Sequence, residues 1–446
     1  MTCDHGDEKL VSPHLLGTCD GLTFSPVSPN FVRIWNWNIW KTHFSSTAPS
    51  PHIPRMDLRA IPLELYTKIL PNLNLTVLKL LQFHLPLLLP SRDSNFPTTD
   101  SFFDTQPPNT TDVADIQKLP SPSRAVIDAL KKDILQAISF GKHSIKPVHT
   151  ISKSSNKTYP LWILTYWDMA FNVHLVQRAW ARAEQNLHEL SWKWAAKGKT
   201  ESTCIINQVF NAFTILQWGH DLQGFSTNGT SDNLDMLTAY TSNTWLTGEH
   251  AAQMLELLET KVQLECRSAV EIGSTWFYKK IKSAYGAPES YTINTSFRLY
   301  HHIGNNLKMG RRDQCSFLVN LNQNHWVAVV LDFWTREIWY GDSLGQQIPE
   351  TVKRVLAWWT CFHSGKQFTH QSLLITIQKD SFSCCLLAWN ALAVFFLGGK
   401  EELLDAGNVA EGQLNVLLNV IRRHAQAEVM CTHYLLEYML ILAVRP

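Results

Sequence analysis

Residues 378 to 399 read Gln-Lys-Asp-Ser-Phe-Ser-Cys-Cys-Leu-Leu-Ala-Trp-Asn-Ala-Leu-Ala-Val-Phe-Phe-Leu-Gly-Gly, and no other stretch constrains the chain as strongly. From Cys384 to Leu397 every residue but Asn390 is apolar, and most are helix formers, so the run reads as a buried helix. Gly398-Gly399 supply the left-handed stop that ends many helices. Asp380, Ser381 and Ser383 are residue types that accept the free N–H groups of a helix start. Cys384 therefore stands in the first turn, where the positive end of the helix dipole favours thiolate, the form that attacks carbonyl carbon. The plain alternative is a packing cysteine, since free Cys is among the most buried residue types.

Two further stretches supply partners for that sulfur. Residues 317 to 332, Phe-Leu-Val-Asn-Leu-Asn-Gln-Asn-His-Trp-Val-Ala-Val-Val-Leu-Asp, read as two short apolar strands around a polar bend, and His325 opens the second. Glu337-Ile-Trp-Tyr reads as a neighbouring strand that closes on Gly341-Asp342-Ser343-Leu344-Gly345. A cysteine nucleophile needs an imidazole base and a third group to hold the ring's tautomer and orientation, and these come from distant parts of a chain. His325, Asp342 and Cys384 make such a set. Asp332 competes with Asp342 for the third role, but it belongs at the far end of the histidine's strand, so the position after the neighbouring strand favours Asp342. Gln378 precedes Cys384 by six residues, which lets its amide N–H meet an oxyanion alongside the backbone N–H of Cys384.

His325-Trp326, then Gly341-Asp342-Ser343, then Gln378, then Ser383-Cys384, in this order and spacing, resemble the ubiquitin-like-specific cysteine proteases, the SUMO-protease family. The resemblance covers residues 236 to 440; more loosely, the whole chain is similar to divergent, transposon-associated fungal members. It implies an α+β, papain-like fold of the SUMO-protease type, with a mostly antiparallel sheet packed on the nucleophile helix and a helical N-terminal region ahead of it. It implies a cysteine peptidase that cleaves after the C-terminal Gly of a SUMO-like modifier, in processing or deconjugation. Cys384 is then the nucleophile, His325 the base and later the acid, Asp342 the orienter, and Gln378 with the Cys384 N–H the oxyanion hole. A Trp-Leu pair, Trp245-Leu246, stands before an amphipathic helix pattern. In the resembling family that Trp and the one after the histidine, here Trp326, form a narrow tunnel over the modifier's Gly-Gly tail. Flat indoles suit a chain without side chains; the plain reading of both is core tryptophan.

Two positions depart from the family pattern. Thr247-Gly248 stand where Asn-Asp is usual, leaving Glu249 as the carboxylate that can substitute. Cys385 stands where the family has Gly, which opens an alternative: an inactive relative that only binds a modifier tail. An acyltransferase on the same triad, as in related bacterial effectors, is a second alternative.

Lys and Arg number 39 against 38 for Asp and Glu, a net charge of +1, so no global field favours nucleic acid or an anionic membrane. The nine cysteines form no Cys-x-x-Cys pair and no signal peptide opens the chain, which points to a reduced, intracellular protein, nuclear or cytoplasmic. Cys361, His363 and His370 lack the paired short spacing of a structural zinc site, so neither metal nor cofactor is expected.

A length of 446 residues suits two domains. Residues 1–55 read as a poorly ordered leader, with Met56 a plausible start. Residues 56–90 read as an apolar helical segment whose opening faintly resembles the first helix of an F-box; Lys79, His84 and Pro86 interrupt it short of the roughly 20 apolar residues a membrane span needs. Residues 91–124, rich in Ser, Asp, Thr, Asn and Pro, read as a disordered linker. Residues 125–234 read as a Trp-rich helical accessory module, with Trp162, Trp167, Trp180, Trp192 and Trp194 assigned to its core. Residues 235–446 read as the catalytic domain, closed by a helical pattern from Glu401 and a last apolar helix from Thr432, both covering the sheet.

Overall fold

The computed structural model describes residues 58–89, 98–147, 157–226, 233–265 and 269–443, side chains excepted at 200, 201 and from 431 on. The expected leader, residues 1–55, lies outside them. The apolar segment that follows forms two short helices, α1 (Leu63–Ile69) and α2 (Val77–Leu81). Pro71 forces its predecessor Leu70 into extended backbone and so ends the first, while the Thr76 side chain caps the second. No helix among the described residues is long and apolar enough to cross a membrane.

Within the stretch expected to be a linker, residues 98–124 are ordered. They carry β1 (Phe103–Asp104) and α3 (Val113–Lys118), the latter capped by Asp112. Their polar composition misled because a few widely spaced anchors, Phe102, Phe103, Ile116 and Leu119, are all buried. Next come α4 (Arg124–Ser139), β2 (Ser144–Ile145), β3 (Tyr159–Pro160), α5 (Ile163–Ala196) and α6 (Thr200–Phe213), and β1, β2 and β3 pair as a small antiparallel sheet. Trp162, Trp167, Trp180 and Trp194 are buried as expected, whereas Trp192 is 74% exposed.

The remaining elements build the larger sheet and its two covers. In order they are α7 (Gly248–Leu264), β4 (Val270–Ile272), α8 (Phe277–Tyr285), α9 (Arg298–Lys308), β5 (Gln314–Leu321), β6 (His325–Asp332), β7 (Glu337–Gly341), α10 (Glu350–Ser364), β8 (Thr369–Ser372), α11 (Cys384–Leu397) and α12 (Val409–Ala443). The sheet runs β4-β5-β6-β7-β8; its centre is antiparallel, and both edge pairings are parallel. The edge strands escaped the sequence reading because they are short and only partly buried. In the β5–β6 bend, Asn322 and Gln323 take positive φ, as a tight hairpin requires.

Strand β6 is buried on both faces, which explains its unbroken apolar sequence. Val327, Val329 and Leu331 face the layer made by α8, α9 and α10, and Trp326, Ala328 and Val330 face the layer that contains α11. Helix α11 is enclosed by β6, α7 and α12, so it has no side on which a polar face is needed. Gly398, at φ 55°, ends it. Helix α12 is continuous where two helices were expected, and its main neighbours are α6, α7, α11 and the turn at Leu234–Thr241 rather than the sheet. Side chains from α2, α5 and α6 share one core with α7, α11 and α12. The helical N-terminal region is thus packed into the cover of the α11 layer.

Candidate active site

Antiparallel pairing of β6 with β7 sets His325, the first residue of β6, beside Asp342, the residue after β7. His325 Nε2 lies 2.7 Å from Asp342 Oδ1. The carboxylate is almost fully enclosed and is held in place: the Leu344 N–H donates to Oδ1 at 2.7 Å, and the buried Tyr340 hydroxyl donates to Oδ2 at 3.4 Å. Asp332, the rival, sits at the opposite end of β6 and accepts from the N–H groups of Trp334 and Thr335 and from Gln314. It is a turn residue.

Cys384 begins α11, is 3% exposed, and lies close enough to the His325 ring to raise its pKa. With Nε2 given to Asp342, Nδ1 is the nitrogen left to face the sulfur. Burial pushes the His325 imidazole down, but the hydrogen bonds and charges of Asp342 and Cys384 outweigh it and raise its pKa to about 9. The ring is therefore an imidazolium at neutral pH. Asp380 shapes the turn just ahead of the helix, its Oδ1 accepting from the N–H groups of Phe382 at 2.9 Å and Ser383 at 2.8 Å. No side chain caps the helix, although Asp380, Ser381 and Ser383 were all expected to; the hydroxyl of Ser383, the residue at the cap position, is buried without a hydrogen-bond partner. The Cys384 N–H, in the first turn, has no helical carbonyl to meet and remains a donor at the site.

Successive residues of a helix point about 100° apart, and the neighbouring thiol follows this rule. Cys385 is fully buried in the core around α11, close enough to Tyr240 for their charges to interact. Burial, and then the charge of Cys384, push the Cys385 thiol well up. It faces the interior.

Gln378 is tied to the loop that carries Asp342. Its backbone N–H donates to the Ser343 carbonyl at 2.9 Å, and the Ser343 hydroxyl donates to its Oε1 at 2.6 Å. Those bonds fix which way the amide lies, with Nε2 on the Asp380 side, where one of its two hydrogens is given to the Asp380 carbonyl at 3.0 Å. Ser343 is fully buried. No local pattern marks Ser343, whose partner Gln378 is thirty-five residues away, while Tyr340 and Leu344 act on Asp342 from two residues to either side.

Trp245, 52% exposed, donates its indole N–H to the Ser381 carbonyl just ahead of α11. Trp326 is buried on the α11 side of the sheet and donates to the Leu246 carbonyl at 3.2 Å, so its indole meets the segment that carries Trp245. Thr247 caps α7 together with His250. The Thr247 hydroxyl also donates to the exposed Glu249, which holds that carboxyl below its usual range. Cys361 and His370 make no cluster with His363, whose Nε2 is 3.0 Å from the Tyr291 hydroxyl, and no group that could hold a metal is found among the described residues.

Residues 244–406 match the model of the Ulp1 protease family, C-terminal catalytic domain, which bears out the resemblance read from the motifs. Among solved structures the chain is similar to the SUMO protease Ulp1 with its catalytic cysteine oxidized to a sulfinic acid, at 14% identity over 46% of this chain and 89% of that one, with a TM-score of 0.37. It is similar to the C-terminal Ulp1 protease domain in complex with Smt3, the yeast ortholog of SUMO, at 15% identity over 49% and 93%, with a TM-score of 0.38. It is also similar to the Chaetomium thermophilum Ulp1-like SUMO protease catalytic domain, at 14% identity over 41% and 74%, with a TM-score of 0.35. No curated protein matches the chain.

Proposed function

We propose, from the match of residues 244–406 to a Ulp1-family catalytic domain, that the chain is a cysteine peptidase cleaving after the C-terminal Gly of a SUMO-like modifier. The observation that carries the reading is the His325–Asp342 pair at 2.7 Å, with Cys384 close enough to the same ring to raise its pKa. In this reading the Cys384 sulfur attacks the glycine carbonyl carbon, and the oxyanion is met by the Cys384 N–H and the second amide hydrogen of Gln378. His325 then gives its proton to the departing amine as the C–N bond breaks, leaving a thioester. It next takes a proton from water, which attacks the thioester and frees the modifier's carboxylate and the sulfur. Residues 235–446 make up the catalytic unit, and the helices of 125–234 brace it.

The binding-only reading rests on Cys385 in place of Gly. Its thiol lies in the core near Tyr240, which argues against obstruction of the oxyanion site. The deciding experiment treats the full chain with vinyl-sulfone probes built on SUMO and on ubiquitin. A covalent adduct with the SUMO probe is expected; no adduct with either, despite measurable modifier binding, would leave only the binding reading.

Two variants probe the supporting residues. Trp245→Ala is expected to raise KM for a modifier substrate about tenfold or more, with a smaller change in kcat, because a large exposed aromatic anchor is lost. An unchanged KM would remove Trp245 from the tunnel. Ser343→Ala frees the Gln378 amide to flip, so kcat is expected to fall about tenfold or more at nearly constant KM. The same change made in a Gln378→Ala background should cost nothing further. Additive losses would show that Ser343 acts on the fold and not through Gln378.

A further inference from the structure

The net charge of +1 conceals a strong separation. The layer of α8, α9 and α10 with its connections, residues 277–312 and 350–366, holds ten Lys and Arg against Glu289 and Glu350 alone. The rest of the chain is correspondingly acidic, with 29 basic residues against 36 acidic ones. These three helices pack on one another over the sheet face opposite α11, so their outer sides form one surface. Of the ten, Arg312 is paired with Glu271 and Arg354 with Glu350. Lys279, Lys280 and Lys282 on α8, Arg298 and Lys308 on α9, and Lys353 on α10 have no carboxylate partner among the described residues; nor have Arg311 and Lys366.

Helix chemistry explains some of these charges and leaves the others. Lys282 and Lys308 stand in last turns, where a cation offsets the helix dipole. Arg298 opens α9, at the end where a cation is disfavoured, and neither α8 nor α9 has an acidic residue in its first turn. Around Arg298 is a cavity of about 690 Å³ lined by Thr295, Arg298, Leu299, His301, His302 and Asn305. Beneath it, burial and then the positive charges of His301 and Lys308 push the His363 imidazole down to about 3.

We propose that the α8–α9–α10 face binds the phosphate backbone of duplex nucleic acid without sequence preference, with Arg298 and the cavity beside it seating one phosphate. An acidic protein surface fits less well. Six of the eight unpaired cations are Lys, a residue depleted at protein interfaces, and Leu299 is the only apolar residue lining the cavity. Spread-out ammonium groups suit a line of phosphates, where affinity comes from counterion release.

The test is fluorescence anisotropy of a labelled random-sequence DNA duplex with the full chain, over roughly 50 to 200 mM salt. Binding at low salt that weakens steeply with salt is expected. Lys279→Glu, Lys280→Glu and Arg298→Glu combined should weaken it about tenfold or more and flatten the salt slope by about one per lost contact. Lys193→Glu, an exposed change on α5, should have little effect, and circular dichroism checks that each variant is folded. The proposal is overturned by absent binding at low salt, by binding that the triple variant leaves unmoved, or by a polyglutamate peptide that binds more tightly than the duplex.

Discussion

Replacing Cys384 by serine is expected to abolish the adduct with a SUMO vinyl-sulfone probe and to lower kcat/KM by roughly 10⁴- to 10⁶-fold, the usual cost of losing a nucleophile whose partners act only through it. The geometry makes the loss specific. Cys384 lies near the His325 ring of the His325–Asp342 pair, whereas Cys385 is buried in the core on the Tyr240 side. Cys385→Ala should therefore keep the adduct, at a stability cost of about 1 kcal/mol for the small cavity it opens. Cys385→Gly should keep it too, with a larger loss of stability from the added backbone freedom in a helix. Both sulfurs are buried, so each variant is compared at equal folded concentration. An adduct that persists in Cys384→Ser and disappears in Cys385→Ala would transfer the nucleophile to Cys385.

The second large effect is expected at Asp342. Asp342→Ala removes both the bond that orients the His325 ring and the charge that keeps it protonated, and kcat should fall roughly 10³- to 10⁴-fold. Asp342→Asn keeps an oxygen where Oδ1 receives His325 and the Leu344 N–H, so it should retain much more activity. Asparagine does serve as the third member of some cysteine triads. The pH profile separates orientation from charge. His325 is raised from 6.5 to about 9, so its ion pairing stabilises the folded protein fully below about pH 6.5 and that contribution is lost as the pH rises through 9. The proton needed by the departing amine is lost over the same range, giving an alkaline limb near 9 for wild type. In Asp342→Ala the limb should move to lower pH, and in Asp342→Asn it should move part of the way. A limb that stays near 9 in both variants would mean that Asp342 does not hold the proton on His325.

Residues whose role follows from neighbours in the chain could be identified from sequence. The helix at 384–397 was legible because it is apolar on every side and closed by Gly398. The strand opened by His325 was legible because it is buried on both faces. The order and spacing of His325, Asp342, Gln378 and Cys384 carried the family resemblance that the match to residues 244–406 bears out.

Other features depend on which distant segments meet, and there local pattern was silent or misleading. Asp342 rather than Asp332 reaches the histidine because β7 runs antiparallel to β6 and ends beside its start. Ser343 fixes Gln378 across thirty-five residues of chain. Polar residues 98–124 are ordered because a few apolar side chains find buried sites, which composition averaged over a window cannot register. The balanced net charge hid the basic face, since a sum over the chain keeps no record of which helices share a surface. The sequence by itself determined the helix, the central strands and the spacing of the candidate site residues, because burial and spacing are local properties. Only the tertiary structure decided the partners of those residues and the placement of charge, because contacts between remote segments are fixed by packing.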